Sequence, residues 1–433
     1  MIIVDTALAR RLADRNPVRV AMVGAGYMAR GIALQILTAM PGLRLVAVSN
    51  RTLPQAQRVY REAGVEATTA VRTVAELERA IAEDRYAVAE DPALLCQAGQ
   101  VEAVIETTGD VEFGTQVAFE AIRNGKHLIL MNAEVDASIG PILKVHADRA
   151  GVVYTYTDGD EPGVAMNLFR FVDSMGYKPV LLGQIKGFLN RYRNPDTQKE
   201  FAEKHQQKAA MVASFADGSK LALESAIIGN ATGFVPGVRG MYGHQCAHVK
   251  DLLGKFKPGD FAHGGMVDFV LGAEPHTGAF VMGYNDHPIK KKYMSYFKFG
   301  EGPLYMFYTP YHLPHMQLPH SVARAVLFKD PTLAPIGAPV CDTMAVAKRD
   351  LKAGEKLDGM GGFACYGLID SYDNCRRGDY LPMALSVDCR LKRNIAKDQP
   401  LSYRDVELPT GRLCDKLRAE QTARFPTALR ASA

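Results

Sequence analysis

Pro17-Val18-Arg19-Val20-Ala21-Met22-Val23-Gly24-Ala25-Gly26-Tyr27-Met28-Ala29 decides the fold. Val18 to Val23 is a short β-rich apolar run. Gly24 to Ala29 spells G-x-G-x-x-A. Ile32, Ala33, Leu34, Ile36 and Leu37 then repeat at helical spacing. Strand, tight turn and helix in that order give this motif its meaning. Gly24 permits the turn, Gly26 leaves room for a pyrophosphate, and Ala29 lets helix and strand approach closely. Tyr27 and Met28 open the helix, whose free N–H groups and partial positive charge face the phosphates.

The pattern repeats further on. Leu45–Ser49 reads as a second strand about twenty residues later, as a dinucleotide fold requires. Residues 101–106 read as a strand ending at Thr107 and Thr108, and His127–Met131 as another ending at Asn132. The first part of the chain is therefore expected to be an α/β Rossmann domain. Its cofactor contacts are expected from Gly24, Gly26, Tyr27, Met28, Ala29, Asn50, Arg51, Thr107, Thr108 and Asn132. After the second strand, Ser49-Asn50-Arg51-Thr52 lacks the carboxylate that accepts from an unphosphorylated ribose. Arg51 can pair with a 2′-phosphate, so NADPH is the expected cofactor.

Composition sets the frame. A chain of 433 residues predicts two or three domains. Hydrophobic residues at 47% and charged residues at 23% fit a globular protein. A net charge of +4 without a long basic run gives no reason to expect nucleic acid. No apolar segment approaches the roughly 20 residues that span a bilayer. The N-terminus has no signal-peptide pattern. Seven scattered cysteines without a C-x-x-C spacing argue against zinc and disulfides. A cytoplasmic location is the expectation.

Past Asp158 the periodicity changes. Asp158-Gly159-Asp160-Glu161-Pro162-Gly163 is an acidic turn before a helix expected from Met166 to Met175. Asp160 and Glu161 can hold a divalent metal such as Mg2+ or Mn2+, orient a substrate, or move protons. A solvated capping turn fits the residues equally. Lys186, Asn190, Arg191 and Arg193 follow a strand-like run and suit a substrate phosphate or carboxylate. Asp217-Gly218-Ser219-Lys220 opens an apolar helix with Asp217 as its expected cap. Glu224 lies one turn beyond Lys220 on the same face. A lysine at a helix N-terminus has its pKa lowered, which suits proton transfer; a plain surface pair is the alternative. Tyr311-His312-Leu313-Pro314-His315 matches no metal motif. Its histidines are expected to be structural or cofactor-adjacent. Gly300–Tyr305 reads as a turn entering a strand that could complete the nucleotide domain.

Gly24–Ala29, the I-E-T-T-G at 105–109, the N-A-E at 132–134 and the D-G-S-K-L at 217–221 together resemble the homoserine dehydrogenase-like oxidoreductases over most of residues 15–235. The resemblance implies that Asp217 and Lys220 serve substrate binding and proton transfer. The chain departs from that pattern at Glu134, where those enzymes carry Lys, and at Phe188–Arg193, where they carry Gly-Thr-Thr-Asn. Residues 346–357 and 392–401 are similar to the strand–turn–anchor segments of an SAF-type β-clip. The fused arrangement resembles the 1-deoxy-D-xylulose 5-phosphate reductoisomerase-like (DRL) group.

What this implies is a Rossmann domain (1–158), an α/β substrate and dimerisation domain (159–335) and a β-rich SAF-like domain (336–433). The small-molecule substrate would be phosphorylated, the assembly a homodimer or other homo-oligomer, and no membrane or nucleic acid would take part. Lys220, Asp217, Asp160, Glu161 and Glu134 are the expected catalytic groups. The expected reaction converts 1-deoxy-D-xylulose 5-phosphate to 2-C-methyl-D-erythritol 4-phosphate. A dehydrogenase of another hydroxy acid, polyol or semialdehyde, and a non-catalytic Rossmann sensor, are the alternatives.

Overall fold

In the computed structural model, residues 4–426 are described, and the chain divides into two compact units. The first holds the residues up to Asp160 together with Leu313–Ala334 and Lys416–Arg418. The second holds Glu161–His312, Pro335–Asp415 and the residues from Ala419.

The first unit is built on seven strands. They are β1 (Val18–Val23), β2 (Leu43–Ser49), β3 (Thr69–Ala70), β4 (Ala87–Ala89), β5 (Ala103–Glu106), β6 (His127–Leu130) and β7 (Tyr154–Tyr156). They lie in the order β3-β4-β2-β1-β5-β6-β7, and every pairing is parallel. The order reverses at β1, which pairs with both β2 and β5. That switch point opens a crevice beyond the strands' carboxyl ends, the usual place for a dinucleotide. Strands in such a sheet are covered on both faces, which is why β1 and β2 read as continuous apolar runs. Val20, Met22, Ala29, Ile32 and Ile36 share one core with Leu318 and Val322. Each large side chain there stabilises the fold by about 1.5–3 kcal/mol.

Leu318 and Val322 lie on the helix Pro314–Phe328, which returns to the first unit late in the chain. Gly300–Tyr305 does not make that return. Its strand, β13 (Leu304–Thr309), joins the second unit's sheet after β8 (Lys178–Lys186), β9 (Val235–Pro236), β10 (His244–Gln245), β11 (Met266–Leu271) and β12 (Ala279–Tyr284). The path through that sheet is β10-β11-β8-β12-β13, with β9 beside β11. β8 and β11 are parallel, whereas β12 is antiparallel to both β8 and β13.

The helix Ser219–Thr232 is buried from Ser219 to Ala231, polar residues included. The antiparallel hairpin β14 (Cys341–Ala347) and β15 (Cys365–Ser371) packs on this helix and bonds some of its polar groups. Gly367 N–H donates to Ser219 Oγ at 2.8 Å, and Thr343 Oγ1 donates to the Ala222 carbonyl at 3.2 Å. Asn230 Oδ1 accepts from the Val340 and Cys341 amides. Beyond the hairpin, β16 (Arg390–Leu391) and β17 (Val406–Glu407) form a second short antiparallel pair. The second unit is thus a mixed α/β layer carrying small antiparallel β elements. All seven cysteines are free thiols. No described helix is long and apolar enough to cross a membrane.

Candidate functional site

The cofactor crevice of the first unit follows from local sequence. Gly24 closes β1 with a φ of +118°, and a Cβ there would collide with Thr107 Oγ1. Thr107 sits just past β5, and its amide bonds Val23 O at 3.0 Å. Gly26 is the N-cap of the helix Tyr27–Ala39. A Cβ at Gly26 would meet nothing within 4 Å, so the space before the helix N-terminus is open for a pyrophosphate. Ala29 is fully buried, as close helix–strand packing demands. Asn50 turns its amide back onto Thr52. Arg51 is exposed and makes no hydrogen bond or ion pair among the described residues. The residues present therefore fit a nicotinamide dinucleotide.

Two buried acids flank this crevice. Glu106 ends β5 and accepts from the Thr108 amide at 2.7 Å and from its hydroxyl. Burial pushes its carboxyl up to about 7 against those bonds. Glu134 lies in the first turn of the helix Ala133–Ala150, capped by Asn132, and its Oε1 has no hydrogen-bond partner among the described residues. Asp160 ends the unit and accepts from Tyr156 Oη at 2.6 Å. His315 comes against Gly31 and meets the Tyr27 ring edge-on at 6.4 Å, so it is adjacent to the cofactor crevice.

In the second unit the sequence candidates meet in a run of alternating charge. The helix expected from Met166 begins earlier, and Glu161 stands in its first turn (Glu161–Ser174). Lys186, the last residue of β8, places Nζ 2.6 Å from Glu161 Oε1 and 3.9 Å from Glu224 Oε2. Lys220 Nζ stands 3.6 Å from Glu224 Oε1, the one-turn pair expected from their spacing. His312 Nε2 lies 3.6 Å from Glu161 Oε2, and its Nδ1 is held by Thr277 Oγ1 at 2.9 Å. The order is His312, Glu161, Lys186, Glu224, Lys220. Burial pushes the Glu161 carboxyl up, but Lys186 and His312 overcome it and hold Glu161 well below the usual carboxylate range. In a water-poor site such pairing is what keeps buried ions charged.

The other candidates go to separate partners. Arg191 lies over the Tyr366 ring and Arg193 over the Phe188 ring. Arg193 Nε is buried without a hydrogen-bond partner. Asn190 Oδ1 accepts from the Tyr192 amide. Asp217 is not the helix cap. Gly218 holds that position with φ +85°, a conformation that glycine adopts without strain. Asp217 Oδ1 accepts from the Ser219 amide at 2.7 Å, while Oδ2 faces Lys348 Nζ at 2.7 Å. Burial pushes the Asp217 carboxyl up and Lys348 draws it back. Lys348 also donates to the Arg193 and Gly362 carbonyls. Sequence reasoning missed Lys348, Glu106 and the role of His312. Glu106 sat in I-E-T-T-G, Lys348 in the 346–357 segment and His312 in Tyr311–His315, but none of those patterns shows the contact each residue makes.

Residues 18–130 match the family described as "Oxidoreductase family, NAD-binding Rossmann fold". Residues 159–318 match "Oxidoreductase DRL, catalytic domain". No curated protein sequence matches the chain. Similar solved structures include a probable dehydrogenase from Thermotoga maritima, at 12% identity and TM-score 0.41, covering 74% of this chain and 90% of that one. A 3-ketoreductase from Actinomadura kijaniata in complex with TDP-benzene and NADP is 16% identical at TM-score 0.37, covering 72% and 90%. A scyllo-inositol dehydrogenase from Lactobacillus casei, with bound NAD(H) and scyllo-inositol, is 16% identical at TM-score 0.33, covering 62% and 66%.

Proposed function

We propose that this chain, an NAD(P)-dependent oxidoreductase, uses NADPH to convert 1-deoxy-D-xylulose 5-phosphate to 2-C-methyl-D-erythritol 4-phosphate. The observation that carries the reading is the part-buried run of charge from His312 to Lys220, inside the segment that matches the DRL catalytic domain. A dehydrogenase that only exchanges a hydride with a neutral polyol has less use for five ionisable groups in a row. A ketose phosphate that rearranges before it is reduced develops negative charge on oxygen and must gain and lose protons there.

NADPH supplies the hydride when bound, and Arg51 is the group that would receive its 2′-phosphate. The carbon skeleton of the ketose rearranges to a branched aldehyde. The aldehyde carbon then takes the hydride and its oxygen takes a proton. Lys220 would give that proton, and Glu224, one turn away, would keep the ammonium paired between turnovers. Lys186 holds Glu161 ionised. Arg193 and Asn190, on the loop after β8, are the proposed contacts for the substrate phosphate. Asp217 serves through Lys348, which ties that loop to the β14–β15 segment.

The donor set also fits a divalent cation. His312 has Nδ1 fixed by Thr277, which leaves Nε2 aimed at the Glu161 carboxylate, an arrangement typical of a ligating histidine. Glu161 and His312 would hold Mg2+ or Mn2+, with Asp160, the preceding residue, as a third candidate. Such an ion would supply Lewis-acid stabilisation to the substrate oxygens.

The test is NADPH oxidation with 1-deoxy-D-xylulose 5-phosphate, with and without Mn2+ and EDTA, with NADH as control and the product identified. Oxidation that needs the substrate, prefers NADPH and yields the branched polyol phosphate is expected. Tight NADPH binding without oxidation would overturn the substrate assignment and leave the oxidoreductase.

A further inference from the structure

We infer that the outer face of the β14–β15 hairpin carries a second small-molecule site, built for an organic anion with an apolar or aromatic body. A cavity of about 350 Å3 opens there between Arg191, Tyr192, Arg239, Tyr366, Asp398 and an apolar floor. That volume suits a small ligand.

The hairpin separates this cavity from the run of charge. Thr343 and Gly367 face the helix that carries Lys220 and Glu224, through Ala222 O and Ser219 Oγ. Successive residues of a strand point to opposite faces. Met344 and Val346, paired directly with Leu368 and Tyr366, therefore face away from that helix. The two faces belong to different apolar clusters. Ala345, Ala347 and Cys365 pack in one; Met344, Val346 and Tyr366 pack in the other.

The chemistry of the walls defines the ligand. Met344, Val346 and Tyr366 are almost fully buried and, with Leu368 and Pro400, form the floor. Two guanidinium groups stand at the rim. Arg239 is anchored to Asp370 at 2.8 Å and lies over the Tyr380 ring. Arg191 lies over Tyr366 and has no carboxylate partner among the described residues. The one acid on the wall, Asp398, accepts from the Tyr192 and Tyr366 hydroxyls at 2.9 and 3.2 Å, which disperses its charge. Lys397 adds a cation 3.8 Å from the Tyr192 ring centre. Cations around tyrosine faces over an apolar floor recognise a carboxylate or phosphate head on a flat or aliphatic body.

Titration calorimetry on the full chain saturated with NADPH, with phenyl phosphate as the probe, tests this. Inorganic phosphate and phenol supply head and body alone. Saturable binding of phenyl phosphate is expected, tighter than either control. Arg191→Gln and Arg239→Gln should each weaken it by about tenfold or more, as loss of a charge-assisted contact does. Lys220→Ala should leave it unchanged, and an unchanged thermal unfolding transition shows that each variant is folded. Absence of saturable binding, equal affinity in the arginine variants, or displacement by 1-deoxy-D-xylulose 5-phosphate would each overturn the proposal. These heats do not depend on turnover, so they stand apart from the fate of the proposed reaction.

Discussion

Glu106 and Glu161 are the same residue type, both buried, one in each unit, and burial drives them in the same direction. They end on opposite sides of the ordinary carboxylate value. Glu106 has only hydrogen bonds from Thr108 and Asn132 and a like charge at Glu134, so burial wins and its carboxyl rises to about 7. Glu161 has Lys186 at 2.6 Å and His312 at 3.6 Å, so counter-charge wins. The cofactor unit thus keeps an acid that readily holds its proton, while the substrate unit keeps one that does not. Burial sets the cost of ionisation, and a cation at contact distance decides whether the protein meets it.

Removing the cation from the second acid is the strongest way to break this contrast. Lys186→Met should cost up to about 3–5 kcal/mol of stability, because Glu161 is left buried with only His312, at 3.6 Å, as counter-charge. It should also lower turnover by about a hundredfold or more. Denaturant unfolding and steady-state rates check both. The pH dependence carries the sign. A depressed carboxyl contributes stability above its unfolded value near 4.5, lost as pH falls below it. Lys186→Met should erase that acid limb.

Glu106→Gln acts on the other side. A carboxyl raised to about 7 binds a proton in the folded state between about pH 4.5 and 7 that the unfolded chain has released. Its contribution is present at low pH and lost as pH rises through that window. The variant should flatten the decline and gain up to about 3 kcal/mol over the parent at pH 8. Unfolding curves across that range would show a parallel decline in both proteins if the acid were ordinary.

Arg51→Ala sharpens the contrast with the smallest effect. It leaves both acids alone and should weaken NADPH by about tenfold while sparing NADH, as loss of one exposed phosphate contact does. Fluorescence titration of the two cofactors checks it. Equal weakening of both would place Arg51 away from the 2′-phosphate.

What the sequence made legible follows from distance along the chain. The cofactor crevice could be read because β1, the glycine turn and the helix after it are contiguous. Lys220 and Glu224 could be paired because they are one helical turn apart. Lys186 with Glu161, His312 with Glu161, and Lys348 with Asp217 join distant segments, and no periodicity announces such contacts. The helix Pro314–Phe328 was hidden by its two prolines, one in its first turn and Pro319 inside it. Pro at a helix start is well tolerated, but one in the interior removes a hydrogen bond and disguises the pattern. The residues after Pro335 read as a separate part because their strand–turn repeats are self-similar. Their hydrogen bonds to Ser219, Ala222 and Asn230 lie outside that repeat.

Those bonds also have a consequence during synthesis. The helix carrying Lys220 and Glu224 leaves the ribosome long before Cys341–Ser371, the strands that cover its polar groups. Until Val340 and Cys341 have emerged for Asn230, and Gly367 for Ser219, those side chains have only water, or a chaperone, to satisfy them. The β1–β7 sheet, apart from its returning helix, can form while the chain is still growing. The helix that carries the proposed proton donor cannot be completed until most of the chain has been made.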